Sequence, residues 1–151
     1  RSVSTQAATA TLTNCTLVNN SASSNCGAVY GGAISAGTTY LLNSILAGNT
    51  APSYAHGAGD LWTANSDVYV TAGLGGTKTG CIDADPKFVS ASDFRLKATS
   101  PCVDAGLNAS VRYSEDLDGN TRIMRSVLPA GVLQVDLGCY ERSPLPPVIG
   151  P

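Results

Sequence analysis

The chain has 151 residues, enough for one domain with a buried core. Only 13% of them are charged and the net charge is −2, which excludes a basic nucleic-acid-binding face and an acidic tail. Hydrophobic residues reach 43%, aromatics only 6%, and glycines number 16, a turn-rich β composition that excludes a disordered polar chain.

Residues 1–10 (RSVSTQAATA) are small and polar and predict an extended lead-in. Residues 12–22 (LTNCTLVNNSA) then recur as residues 41–51 (LLNSILAGNTA), identical at Leu12/Leu41, Asn14/Asn43, Leu17/Leu46, Asn20/Asn49 and Ala22/Ala51. The offset from Leu12 to Leu41 is the length of one stacked supersecondary unit and far too short for a duplicated domain. The segments lack helical spacing and are built from Thr, Ser, Asn, Val, Ile and Leu, so each reads as one coil of a parallel β-helix. Asn tolerates the left-handed backbone of a sharp bend. Stacking would place Asn14 over Asn43 and Asn20 over Asn49 as amide ladders, with Leu12 over Leu41 and Leu17 over Leu46 as apolar columns. The bends leave the inward or outward parity of each residue open.

Between the copies, residues 27–34 (GAVYGGAI) predict a strand entered through glycines at a bend. Residues 51–59 (APSYAHGAG) read as a loop with His56 at the surface. Asp60-Leu61-Trp62 and Asp67-Val68-Tyr69-Val70 predict a third, less regular coil before residues 73–77 break the pattern. Trp62 and Tyr69 read as core or coil-face residues; exposed on a flank, they would suit a sugar. Residues 73–80 (GLGGTKTG) lack the Gly-Lys-Ser/Thr order of a phosphate loop.

From Cys81 the punctuation changes to Asp-Pro and Ser-Pro turns, and charge concentrates. The expected organisation is β-helix coils over residues 1–80 and a capping module of short strands and turns over 81–141. The module closes the raw edge of the solenoid. Residues 142–151 (RSPLPPVIGP) read as a proline-rich linker or arm. The fold expected is thus all-β, a right-handed parallel β-helix of about three coils with a C-terminal cap.

Cys15, Cys26, Cys81, Cys102 and Cys139 show no CxxC spacing, and with one histidine a zinc site is not indicated. Disulfides in an oxidising compartment and buried small-residue duty both remain open for them. No window of about 18 apolar residues could span a bilayer. With Arg1 at its start, the chain is expected to be a processed product or a fragment. Sequons at Asn14, Asn19 and Asn108 matter only in a glycosylating host.

Five motifs follow in order: Asp85-Pro86-Lys87-Phe88-Val89, Asp93-Phe94-Arg95-Leu96, Ser100-Pro101-Cys102-Val103-Asp104-Ala105-Gly106, Asp116-Leu117-Asp118-Gly119-Asn120-Thr121-Arg122 and Val135-Asp136-Leu137-Gly138-Cys139-Tyr140-Glu141. This series resembles the C-terminal region of bacterial right-handed parallel β-helix repeat proteins, the group often labelled choice-of-anchor Q domain proteins. Gly31-Gly32-Ala33-Ile34 and the Leu-x-x-Asn at 17–20 and 46–49 resemble the repeats of polymorphic outer-membrane adhesins. The resemblance implies a secreted or surface-displayed protein without assigned activity; the present chain is shorter than that group.

Solenoids of this class include polysaccharide lyases and hydrolases, whose sites need carboxylates on successive coils. Residues 11–51 contain no Asp, Glu, Lys or Arg. Asp83, Asp85, Asp104, Asp116 and Asp118 in the terminal module sit beside Pro, Gly and Asn as turn-formers do, so no catalytic residue is assigned. Asp116, Asp118 and Asn120 alternate as oxygen ligands do in a calcium loop, but Val127 stands where an EF-hand needs a bidentate Glu. Calcium at those three residues and a structural Asx turn stay the two readings, and no other cofactor is expected.

The expected function is non-catalytic: an extracellular or cell-surface structural or adhesive protein that stacks through its coil edge on further β-helix coils. A head-to-tail fibre of its own copies is one form of this. The alternative is a polysaccharide lyase, a hydrolase or a carbohydrate-binding β-helix. Cell-surface polysaccharide is a further expected partner.

Overall fold

The computed structural model describes residues 8–24, 26–31, 37–59, 61–68, 76–125 and 133–142. Among them the chain is all-β, with no α-helix and a single 3-10 turn at Asn108–Ser110. The strands in order are β1 (Thr9–Thr13), β2 (Thr16–Val18), β3 (Val29–Gly31), β4 (Thr38–Leu42), β5 (Ile45–Ala47), β6 (Gly57–Gly59), β7 (Leu61–Ala64), β8 (Asp67–Val68), β9 (Lys78–Thr79), β10 (Met124–Arg125) and β11 (Leu133–Gln134).

Three parallel sheets contain the first nine: β1-β4-β7-β9, β2-β5-β8 and β3-β6. The chain visits the sheets in rotation, first, second, third, then first again. β10 and β11 form a separate antiparallel pair. Parallel strands cannot be joined by a tight turn, so each return to a sheet needs a long excursion, and here the excursions supply the other sheets' strands. In the first sheet Leu12 pairs with Leu41, Leu41 with Thr63 and Thr63 with Lys78, so the excursion shortens at each successive return.

Hydrophobic strand residues fill two clusters. Leu41, Leu46, Leu61 and Val68 form one, with Leu12, Leu17, Ala28 and Val29 packed against it. Ile45, Leu96, Cys102 and Leu137 form the other. Neighbouring strand residues face opposite sides, so Ile45 and Leu46 place β5 between the two cores. One face of the second sheet looks towards the other sheets, and its opposite face is covered by the C-terminal segment.

That placement differs from the expected cap over one end of the stack. Residues 84–141 bond to the first, second and third strands of the second sheet's column alike. Cys139 N donates to Thr16 Oγ1, Gly138 N to Asn43 O and Ala84 N to Asp67 Oδ1. The segment runs along the flank because the bends beside that sheet carry polar backbone groups along the whole stack, and each must find a partner. Expectations placed on residues 1–7, 32–34, 60, 69–75 and 143–151 lie outside the described residues.

Candidate functional site

The two columns of the repeat meet in register. Leu12 is paired with Leu41 and Leu17 with Leu46. Leu41 and Leu46 are fully buried, whereas Leu12 and Leu17, one strand nearer the edge, are half-buried.

The asparagines divide into two kinds. Asn20 donates through both its backbone N and Nδ2 to Asn49 Oδ1, each at 2.9 Å. Asn49 Nδ2 in turn donates to Leu17 O at 2.9 Å and lies 3.2 Å from His56 Nδ1, which therefore accepts. His56 is 4% exposed, which corrects the expectation of a surface residue. The loop folds it inward to complete the amide network, and burial lowers its pKa against the opposing pull of Asp83.

Asn14 and Asn43 instead occupy left-handed bends, with φ of 53° and 48°. Their amides do not form a mutual ladder but reach the C-terminal segment. Asn14 Nδ2 donates to Asp136 O at 3.4 Å, while Asn43 accepts from Leu107 N at 2.8 Å and donates to Leu107 O at 3.0 Å. The physical reason is the bend itself: a left-handed residue swings its side chain out of the strand plane, towards whatever covers the flank.

The register extends this bend further than sequence reasoning did. Leu42 pairs with Ala64 and Ala64 with Thr79, so the residues that follow, Asn65 (φ 45°) and Gly80 (φ 60°), stand in line with Asn14 and Asn43. The next residues, Cys15, Ser44, Ser66 and Cys81, all turn a hydroxyl or thiol back to the carbonyl two positions earlier. Cys15 N donates to Ser44 Oγ at 3.0 Å and Ser44 N to Ser66 Oγ at 3.1 Å. The missed signal was the Asn-Ser/Cys pair itself, written at 14–15, 43–44 and 65–66.

The first strand of each sheet is an edge. Among the described residues β1, β2 and β3 pair only with β4, β5 and β6. Thr38 N donates to Ala8 O and Asn14 N to Leu42 O, so the even-numbered residues of β1 face β4. By the alternation of parallel strands, Thr9, Thr11 and Thr13 direct their N–H and C=O groups outward.

The acidic residues of the C-terminal segment are engaged within it. Asp116 Oδ1 accepts from the backbone N of Asp118 and Asn120, and its Oδ2 from Asn120 Nδ2 and Glu141 N. Burial alone would raise its pKa, but these donors together hold it below the ordinary carboxylate value. Asp118 is bidentate with Arg95 at 2.7 and 2.6 Å, and Arg95 lies 4.8 Å over the Tyr140 ring. Asp116 and Asn120 thus form an Asx turn, and all four carboxylate oxygens of Asp116 and Asp118 have donors. Among the described residues no group of three or more His, Cys, Asp or Glu is placed to hold a metal ion.

Asp136 accepts from Asp104 N and Arg142 N, each at 2.7 Å, and burial pushes it up to about 6. Glu141 accepts from Asp136 N and from Arg122 Nη1, and burial, with neighbouring Asp136, pushes it up to about 8 despite the guanidinium. Arg122 also donates to the carbonyls of Gly138, Cys139 and Glu115. Asp67, half of a buried pair with the Cys102 thiol at 3.2 Å, is also raised by burial. Asp85 caps its own turn by accepting from Lys87 N. These carboxylates act chemically as acceptors for backbone N–H groups.

All five cysteines are free thiols. A cavity of about 550 Å³ lies between the second sheet and the C-terminal segment, lined by Val18, Ala47, Pro86, Phe88 and Phe94 among others. No protein-family model, curated protein or solved structure matches the chain.

Proposed function

We propose that the chain is a segment of right-handed parallel β-helix, about three coils long, of the kind seen in choice-of-anchor Q domain proteins. In this reading it is an extracellular, non-catalytic structural or adhesive protein that works by stacking its first coil edge on further β-helix coils. The observation that carries it is the edge: β1, β2 and β3 lie on the same side of their sheets, and each has one unpaired flank among the described residues. The rotation of the chain through three parallel sheets, with Leu over Leu and Asn over Asn, supports the coil reading.

The two ends of the stack differ. β1 presents five residues, Thr-Ala-Thr-Leu-Thr, without a charge. β9 is two residues long and begins with Lys78, the kind of short, charged edge that discourages pairing. Stacking therefore uses the β1 side: against additional coils it continues the solenoid, and against the β1 edge of a second copy it gives a closed two-fold dimer, whereas a head-to-tail fibre would have to use the β9 end as well.

The test is sedimentation velocity with electron microscopy across protein concentration. Concentration-dependent association is expected. Thr11→Pro, which removes an outward N–H and leaves the β4 ladder intact, should abolish it without loss of fold. A chain that stays a monodisperse monomer at the highest attainable concentration would overturn self-association through this edge.

A further inference from the structure

A separate feature lies on the outer face of the first sheet. In β4 the side chains of Thr39 and Leu41 are buried and that of Tyr40 faces out; in β7 those of Leu61 and Thr63 are buried and that of Trp62 faces out. Tyr40 and Trp62 are register partners on adjacent strands, 38% and 41% exposed. Strand spacing puts the two side chains about 5 Å apart where they leave the sheet. Gly76 lies against the same strand: a Cβ there would strike Leu61 O and lie 3.0 Å from Trp62 Cδ1, so glycine is what allows this close approach.

Beside the rings runs an open cleft of about 130 Å³, lined by Tyr40, Leu42, Trp62, Ala64, Thr77 and Thr79. No lining residue is charged. The two half-exposed aromatic rings give an apolar surface, and the exposed Thr77 and Thr79 supply hydroxyls beside it.

We infer that this cleft binds a neutral polysaccharide, with pyranose rings lying on Tyr40 and Trp62 and their hydroxyls meeting Thr77 and Thr79. A pyranose has a C–H face that packs on an aromatic ring and a periphery of hydroxyls that pairs with threonine. The absence of charge selects neutral over acidic sugars, and the shallow, half-exposed rings suit a chain that runs across the strands. The site lies on a different surface from the β1 edge, so sugar binding and edge stacking succeed or fail independently.

Trp62 is the only tryptophan, so intrinsic fluorescence reads the platform directly. Titration of the full chain with soluble xylan, mannan and β-glucan should give a saturable change with at least one of them and none with polygalacturonate. Tyr40→Ala keeps the fluorophore and should weaken binding by about tenfold or more, with Thr77→Val as a milder variant. Three results would each overturn the inference. These are no saturable response to any neutral polysaccharide, unchanged binding by a folded Tyr40→Ala chain, and a fluorescence change that follows protein concentration alone, which would make a second copy the occupant.

Discussion

Asn43 shows how much one residue carries. It holds a left-handed φ of 48°, is fully buried, clamps Leu107 through both side-chain atoms, and accepts from Gly138 N through its own carbonyl. Asn43→Ala loses the clamp and meets the left-handed strain of a Cβ without local compensation. The first term is about 1–3 kcal/mol for unmet buried groups and the second about 1–2 kcal/mol. Asn43→Gly loses only the clamp, so urea denaturation should find it more stable than Asn43→Ala by about 1–2 kcal/mol. Equal midpoints would mean that the bend is not what Asn43 is needed for. The bends at Asn14 and Asn43 were legible because Asn is the non-glycine residue best suited to that backbone. The bend at Asn65 was not, because the step from Leu41 to Thr63 is shorter than the step from Leu12 to Leu41, and self-similarity at a fixed period passes over it.

At the level of strands, the columns make burial depend on position in the stack. Leu41 has a strand on either side and is 0% exposed; Leu12, in the same column, has among the described residues a strand on one side only and is half-buried. Leu41→Ala should therefore cost about 3–5 kcal/mol. Leu12→Ala should cost about half as much in the isolated chain, where less apolar area leaves water. If the edge stacks, the Leu12 cost should rise with protein concentration while the Leu41 cost stays fixed, a comparison that thermal melts at two concentrations can read. The pairing of like residues could be read from the sequence, but their facing could not. Leu12 and Leu17 are an odd number of positions apart and would point to opposite sides of one continuous strand. They pack against the same cluster because the left-handed Asn14 ends β1 and re-aims the chain before β2 begins.

Over the whole molecule, the C-terminal segment binds the stack together through contacts that span the sequence, such as Asn14 to Asp136 and Thr16 to Cys139. Its five motifs were visible as a series, but their lateral course was not, since no local pattern encodes a partner so distant along the chain. Their common product is a set of buried acids with opposite pH behaviour. Glu141, ordinarily near 4.5, is raised to about 8, and Asp136, ordinarily near 3.8, to about 6. The folded chain thus holds more protons than the unfolded chain between those limits. The stability these two contribute is present below their unfolded values and is lost as pH rises through about 6 and then about 8. Asp116, held below 3.8, contributes stability above that value that is lost in acid, and neutral His56, held below 6.5, loses its contribution as pH falls. The acid limb therefore mixes several groups, whereas the limb from about pH 6.5 to about pH 8 belongs chiefly to Glu141; above it the Cys15 and Cys102 thiols, held protonated by burial, add a loss of the same sign. Melting temperature should fall across that limb in the parent chain. In Glu141→Gln the starting stability should be lower, because Arg122 and Asp136 N cannot both keep an acceptor, but the fall with pH should flatten. A Glu141→Gln chain that melts with the parent's slope would place the titrating group elsewhere, and would leave the Arg122 pair as an ion pair throughout the neutral range.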